Sequence, residues 1–286
     1  MIEGGVARGA VSGGMAMRLH ELGLAEAFDD VYGSSAGAIS AAWLASSTPE
    51  RLVGWADPAY VRMLIRRHGP LRRQPIVDVK SLVEVVYTRH APMDFPSIVT
   101  SPLRWHPIGT DAQNGDAVDL RPWVRSGPDV QLAIRASAAI PLLAGGPVTI
   151  GDREYFDAGV AEPVPYRVAA AAGATHLLVL RSRQTDDVPR LSPVASGVAR
   201  TALRGYGHGF RSAFRTSSAR YALEHARLCG HSAMPAGTPP TAVIAPAPGS
   251  ATVGRMGRET QLLAAAFEAG RTAVETALTA VSSACS

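Results

Sequence analysis

The sequence predicts an α/β fold in which helices cover both faces of a mostly parallel central sheet, and three observations lead to it. Strand patterns alternate with helix patterns along most of the 286 residues. Residues 177–180 form a short, continuous apolar run, which is typical of a strand buried inside a parallel sheet. Residues 31–44 show the order strand, sharp turn and helix, which suits a sheet of this class.

The other elements follow from local periodicity and from turn residues. Asn114-Gly115 and Gly151-Asp152 are turn signals, and each predicts a β-hairpin. Glycines at 205, 207 and 209 are expected to interrupt a helical stretch. Helical patterns cover residues 10–24, 38–44, 49–67, 79–87, 129–139, 166–172, 192–228 and 258–281. Strand patterns cover residues 31–32, 103–111, 117–120, 148–150, 154–156, 177–180 and 242–245.

Composition excludes several classes of protein. No apolar run approaches the roughly 18 residues that a transmembrane helix needs. The first residues lack the pattern of a signal peptide, so a cytoplasmic protein is expected. Cys229 and Cys285 have neither metal-ligand spacing nor the pattern of a disulfide framework, so we expect no metal and no cofactor. A formal net charge of +4 is too small to predict a nucleic-acid partner.

One basic cluster has two interpretations. It consists of Arg62, Arg66, Arg67, His68, Arg72 and Arg73. A solvated helix face accounts for such a cluster. Contact with anionic lipid head groups at a membrane surface also accounts for it.

The best candidate for a catalytic group is Ser35. It lies in Gly33-Ser34-Ser35-Ala36-Gly37, between the apolar residues 31–32 and a helical run. A serine at such a strand–turn–helix elbow sits in a strained turn with its hydroxyl exposed. The N-terminus of the following helix favours developing negative charge beside it.

A glycine-rich loop at residues 4–9 is the candidate for binding an oxyanion. Backbone N–H groups in such a loop converge on one anion. The loop lacks both the Gly-x-Gly-x-x-Gly spacing and a Lys-Ser/Thr ending, which disfavours a nucleotide phosphate site.

The identity of the general base is the open question at this point. An α/β-hydrolase triad would place a histidine after an acidic residue, and His176, His208, His225 and His231 follow Asp157. Ser35, however, comes too early in the chain for that fold. Asp157, in the turn Asp157-Ala158-Gly159, is the better candidate, although a turn aspartate that caps its own backbone has the same pattern.

Three motifs in this order resemble the patatin-like phospholipase family, in particular its short, cytoplasmic bacterial members. They are Glu3-Gly4-Gly5-Val6-Ala7-Arg8-Gly9, Gly33-Ser34-Ser35-Ala36-Gly37 and Asp157-Ala158-Gly159, supported by residues 136–141 and 162–165. The resemblance implies a three-layer patatin-like domain over residues 1–183. A mostly helical extension, residues 184–286, would pack on the same domain.

The resemblance also implies a function, the hydrolysis of lipid esters such as phospholipids and lysophospholipids by a Ser–Asp dyad. Ser35 would be the nucleophile and Asp157 the base, and no cofactor would be needed. Gly4, Gly5, Val6 and Ala7 would supply oxyanion N–H groups, while Arg8 tightens the loop that ends at Gly9. Aspartate is a weak base, with a reference pKa of about 3.9 against about 6.5 for histidine. A partly desolvated site is therefore expected.

Three departures from the family pattern keep a second interpretation open, a catalytically silent protein that binds lipid or a partner. Val6 occupies a usual glycine position and would be strained if its φ is positive. Ala158 raises the same steric question. The strand before the glycine loop is almost absent, which predicts either an upstream start or a poorly anchored loop.

Overall fold

The computed structural model describes residues 1–66, 69, 74–187 and 201–284 and confirms the α/β class. The strands are β1 (Asp30–Ser34), β2 (Arg104–Asp111), β3 (Ala117–Asp119), β4 (Val148–Ile150), β5 (Arg153–Asp157), β6 (Leu177–Leu180) and β7 (Thr241–Ile244). The α-helices are α1 (Gly9–Glu21), α2 (Ala36–Ala45), α3 (Pro58–Leu64), α4 (Val79–Ser81), α5 (Phe95–Val99), α6 (Gly127–Ser137), α7 (Tyr166–Ala171), α8 (His208–Leu228) and α9 (Thr260–Ala284). A π-helical stretch, Leu82–His90, continues α4. Short 3-10 helices cover Val6–Arg8, Leu24–Ala27, Pro49–Ala56, Arg121–Trp123 and Ala158–Val160.

The sheet has a parallel part and an antiparallel part. β7 pairs with β6, and β1 pairs with β2, in parallel. Ile2 forms parallel bridges to both Gly33 and Leu180, so the first residues join these two pairs into one parallel arrangement. β3 pairs with β2, and β4 pairs with β5, in the antiparallel arrangement that the two predicted hairpins require. β5 also pairs antiparallel with β2, which joins the second hairpin to the sheet.

The segment before the glycine loop is firmly held, so the expectation of a poorly anchored loop is wrong. The Ile2 N–H donates to the Tyr32 carbonyl at 2.8 Å, and the Glu3 N–H donates to the Leu180 carbonyl at 3.0 Å. The Leu180 N–H donates in turn to the Met1 carbonyl at 2.8 Å. Few residues suffice as a strand here because both of their edges are paired.

The C-terminal helix packs against the first helix. Leu263, Phe267 and Val274 of α9 are buried in the main hydrophobic cluster. α9 and α1 are also joined at their surface by Arg18 Nε and Glu275 Oε1, 2.9 Å apart. None of the helices described by the structure combines the length and apolar character needed to cross a bilayer.

The predicted interruption at Gly209 is wrong, because this residue lies within α8. A Cβ atom on Gly209 would lie 2.1 Å from the Asn114 carbonyl oxygen. The glycine therefore permits α8 to approach the hairpin turn, and it does not break the helix. The predicted helix before residue 201 and four residues of the basic cluster, Arg67, His68, Arg72 and Arg73, lie outside the described residues, as does Cys285.

A histidine joins two carboxylates where β1 begins. His106 Nε2 lies 2.8 Å from Asp30 Oδ1, and its Nδ1 lies 2.7 Å from Asp119 Oδ2. The ring also stacks on Tyr32 at 4.2 Å between centroids. Burial alone would raise the pKa of Asp30, but Arg104 and His106 hold it below its ordinary value.

Replacing His106 with alanine should lower the free energy of unfolding by about 2–3 kcal/mol, since the two contacts involve charged groups. The loss should shrink as pH falls through the depressed pKa of Asp30, because protonating the Asp30 carboxylate weakens its contact with His106 in the wild type. Urea unfolding at neutral and acidic pH would measure it. The exposed His90→Ala is the control, and equal stability of H106A and H90A would contradict the prediction.

Candidate active site

Strand register brings Ser35 and Asp157 to the same place. Ser34, the last residue of β1, is the partner of Ile108 in β2. Asp157, the last residue of β5, is the partner of Gly109 on the other side of β2. Because these positions on β2 are adjacent, Ser35 and Asp157 leave the sheet side by side.

Ser35 has the backbone of a strained elbow. Its φ is 56° and its ψ is −124°, an uncommon conformation for a residue other than glycine. Its carbonyl accepts the first backbone hydrogen bond of α2, from Ala38 at 2.9 Å, and its N–H donates to Ser137 Oγ at 3.1 Å. A Cβ on Gly37 would lie 2.1 Å from the Ile2 carbonyl oxygen, so the last position of the motif requires glycine. The strand–turn–helix prediction is confirmed.

Asp157 presents one carboxylate oxygen without a partner. Asp157 is only 6% exposed, and its Oδ1 accepts a hydrogen bond from the Gly159 N–H at 2.7 Å. Its Oδ2 is buried and accepts no hydrogen bond of ordinary geometry from the described residues. Burial raises the pKa of Asp157, while the nearby Ser35 hydroxyl, the Gly159 N–H and the charge of Arg255 limit the rise.

The glycine loop lies against the nucleophile. A Cβ on Gly4 would lie 2.4 Å from the Ser34 carbonyl oxygen and 2.9 Å from Ser35 Cβ. Val6 has a φ of 56°, so the strain expected from a valine at this position is present. A left-handed backbone costs a residue other than glycine roughly 1–2 kcal/mol. Burial of the Val6 side chain, which is 4% exposed, offsets that cost.

The N–H groups of the loop divide into two sets. The Ala7 N–H donates to the Arg255 carbonyl at 3.1 Å, so the assignment of Ala7 as an oxyanion donor is wrong. The Arg8 N–H closes a turn onto the Gly5 carbonyl at 3.2 Å, and the Gly9 N–H is directed to the carbonyls of the 3-10 turn. The N–H groups of Arg8 and Gly9 therefore already have acceptors within the loop.

Gly4, Gly5 and Val6 form the second set. Their N–H groups donate to no backbone acceptor within the described ranges. These three N–H groups therefore differ from those of Ala7, Arg8 and Gly9, which already have backbone acceptors.

Ala158 does not carry the strain expected of it. It is not among the residues with positive φ, and it begins the short helix Ala158–Val160. Its side chain is fully buried beside Tyr32, Ile108 and Val164. The steric objection raised by the sequence is therefore wrong, because alanine is compatible with this backbone and fills space in the core.

A buried ionic network supports the loop from behind. Glu3 Oε2 accepts hydrogen bonds from Arg181 Nε at 2.9 Å and from the Ser182 N–H at 2.7 Å, while Glu3 Oε1 accepts one from the Tyr221 hydroxyl. Burial alone would raise the pKa of Glu3, but Arg181 and Tyr221 hold it below its ordinary value. Ser182 Oγ donates to the Gly4 carbonyl at 2.7 Å, which fixes the loop to this network.

None of the candidate histidines reaches the site. His176, His208 and His231 are exposed. His225 is buried, and its Nδ1 lies 3.1 Å from Arg181 Nη2 while its Nε2 lies 3.1 Å from the Thr185 carbonyl. Burial and the charge of Arg181 lower the pKa of His225, which keeps the ring neutral. The histidine triad therefore has no support in this geometry.

Ser35 and Asp157 open into a cleft of about 180 Å³. Its lining residues are Glu3, Gly4, Gly5, Arg8, Ser34, Ser35, Asp157, Gly159, Pro163, Arg183, Ser217, Ser218, Tyr221 and Arg255. Sequence reasoning assigned no role to Arg183, Tyr221 or Arg255. Only Arg183 gives a usable signal, because it follows a buried strand whose carboxyl end faces the site.

Comparison with known proteins gives a family match. The family model described as patatin-like phospholipase matches residues 1–170. The match includes the glycine loop, the elbow and Asp157, and it ends before β6. A search of curated proteins finds no significant match.

Proposed function

The chain belongs to the patatin-like phospholipase family, whose model covers residues 1–170 of 286, and on that premise we propose that it hydrolyses lipid esters through Ser35 and Asp157. One observation carries the proposal. A serine in a strained elbow adjoins a buried carboxylate whose Oδ2 has no other partner among the described residues. A serine nucleophile needs such an adjacent base.

In the first half of the proposed reaction, Ser35 is acylated. Asp157 Oδ2 takes the hydroxyl proton as Ser35 Oγ forms a bond to the ester carbonyl carbon. The carbonyl oxygen becomes an oxyanion, and the N–H groups of Gly4, Gly5 and Val6 stabilise it. When the ester C–O bond breaks, the leaving alcohol oxygen takes the proton from Asp157.

Water completes the reaction. Asp157 accepts a proton from water while the water oxygen attacks the acyl carbon of acyl-Ser35. The bond to Ser35 Oγ then breaks, and Oγ takes the proton back. The raised pKa of Asp157 suits both steps, because it makes the carboxylate a stronger base and brings its pKa closer to the operating pH.

The substrate and the location are part of the proposal. Lipid or acyl esters are the expected substrates, including phospholipids and lysophospholipids. We also propose a cytoplasmic protein with its helical C-terminal part on the same domain, and with contact to lipid at a membrane surface. No cofactor enters the proposed chemistry.

Labelling the wild-type protein tests the function. A fluorophosphonate probe should react once per chain, and peptide mass spectrometry should place the adduct on Ser35. A short-chain chromogenic ester should be hydrolysed, and prior labelling should stop the hydrolysis. The same protein unfolded in urea before labelling is the control and should not react. Absence of both labelling and turnover would overturn the proposal and favour a silent, lipid-binding protein.

A further inference from the structure

Two arginines from outside the matched family region line the cleft. Arg183 follows β6 and Arg255 precedes α9, so both lie beyond residue 170. Arg8, from the glycine loop, lines the same cleft. Arg183 and Arg255 are therefore cationic groups of the cleft that the family motifs do not include.

The negative charges within the cleft do not balance these cations. Glu3 is already paired with Arg181, behind the loop. Asp157 is therefore the remaining carboxylate on the described lining. Burial, together with repulsion from Arg183 and Arg255, lowers the pKa of Arg8.

The Arg183 side chain is held by contacts with its neighbours, whereas the Arg255 side chain is exposed to solvent. Arg183 Nε donates to the Tyr221 hydroxyl at 3.1 Å, and its guanidinium lies 5.6 Å from the centre of the Tyr221 ring. Arg183 also pairs with Asp187 at its exposed side. The Arg255 side chain is exposed and forms no ion pair with a described residue, while its backbone carbonyl anchors Ala7. A ligand in the cleft would therefore meet the fixed guanidinium of Arg183 and the exposed guanidinium of Arg255.

We propose that Arg183 and Arg255 make this site selective for acyl esters that carry a phosphate group. The proposal rests on the function proposed above and adds a substrate class to it. Guanidinium groups suit phosphate because their planar N–H donors bind two oxygens at once. Ser217 and Ser218, on α8, also line the cleft and add small polar side chains to it.

A matched pair of substrates tests the selectivity. We would measure kcat/KM for a 1-acylglycerol and for the same 1-acylglycerol 3-phosphate, both short enough to stay monomeric. The wild type should favour the phosphate ester by roughly tenfold or more, and higher salt should reduce that preference because it screens exposed charges. The ratio of the two values is the readout, because Arg255 also influences the pKa of Asp157.

The arginine variants should change this ratio. Arg255→Ala should lower it roughly tenfold, an energy of about 1.4 kcal/mol, and Arg255→Glu should lower it further. Arg183→Ala should also lower it. Arg89→Ala is the control and should keep the wild-type ratio, because Arg89 is exposed and is not part of the cleft lining.

The outcomes separate the two proposals. Hydrolysis of both esters at similar kcat/KM by the wild type would overturn the selectivity and leave the proposed function standing. An unchanged ratio in R255A, R255E and R183A would do the same. Failure to hydrolyse either ester would overturn the proposed function and this inference with it.

Discussion

Replacing Asp157 with asparagine should lower kcat for ester hydrolysis by about 10³-fold or more, close to the value for Ser35→Ala. General bases typically contribute 10²–10⁴-fold, and no other unpaired carboxylate lines the described cleft. The asparagine keeps an oxygen for the Gly159 N–H but cannot accept the serine proton. Steady-state hydrolysis of a chromogenic ester by the wild type, D157N and S35A would measure the effect.

The same variant should be at least as stable as the wild type, which separates loss of chemistry from loss of fold. The folded-state pKa of Asp157 is raised, so the contribution of this group to stability is fully present at low pH and is lost as pH rises through the raised pKa. Wherever Asp157 is ionised, the wild type carries a buried charge that D157N lacks. A melting temperature for D157N well below that of the wild type would contradict this.

The pH profile gives a second control. Activity of the wild type should rise with pH through the raised pKa of Asp157, because only the ionised carboxylate accepts a proton. The residual activity of D157N should lack this acidic limb. If the activity of D157N still falls at acidic pH as in the wild type, the titrating group is not Asp157.

Local signals in the sequence predicted the parts of the site that are local in structure. The elbow at Ser35 was visible because a strand, a glycine-flanked turn and a helix are contiguous in the chain. The hairpin that ends at Asp157 was visible from its turn residues. The strain at Val6 was also predictable, since it follows from one side chain at one backbone position.

The parts that failed depend on distant segments. The Ala7 N–H donates to the carbonyl of Arg255, which is 248 positions later in the sequence. No local sequence pattern indicates that contact. The support of Glu3 by Arg181 and Tyr221 is equally non-local. Gly209 was read as a helix breaker, although it serves the packing of α8 against a turn.

Replacing Gly4 with alanine should cost roughly 10²-fold in kcat, which is the scale expected when reacting groups shift by about 1 Å. The new Cβ would lie 2.4 Å from the Ser34 carbonyl oxygen and 2.9 Å from Ser35 Cβ, so the loop and the elbow must move apart. The proposed oxyanion donors and the proposed nucleophile lie on opposite sides of that contact. Fluorophosphonate labelling should slow in parallel with turnover, because it uses the same oxyanion donors.

The exposed Gly146→Ala is the matched control, since a Cβ there meets nothing within 4 Å. Thermal melting of both variants distinguishes a displaced loop from an unfolded protein. A G4A protein that melts near the wild-type temperature and retains wild-type kcat would contradict the assignment of this loop to the oxyanion. A folded but slow G4A would place the cost in the geometry between Gly4 and Ser35, because the substitution changes no charge and leaves Asp157 untouched.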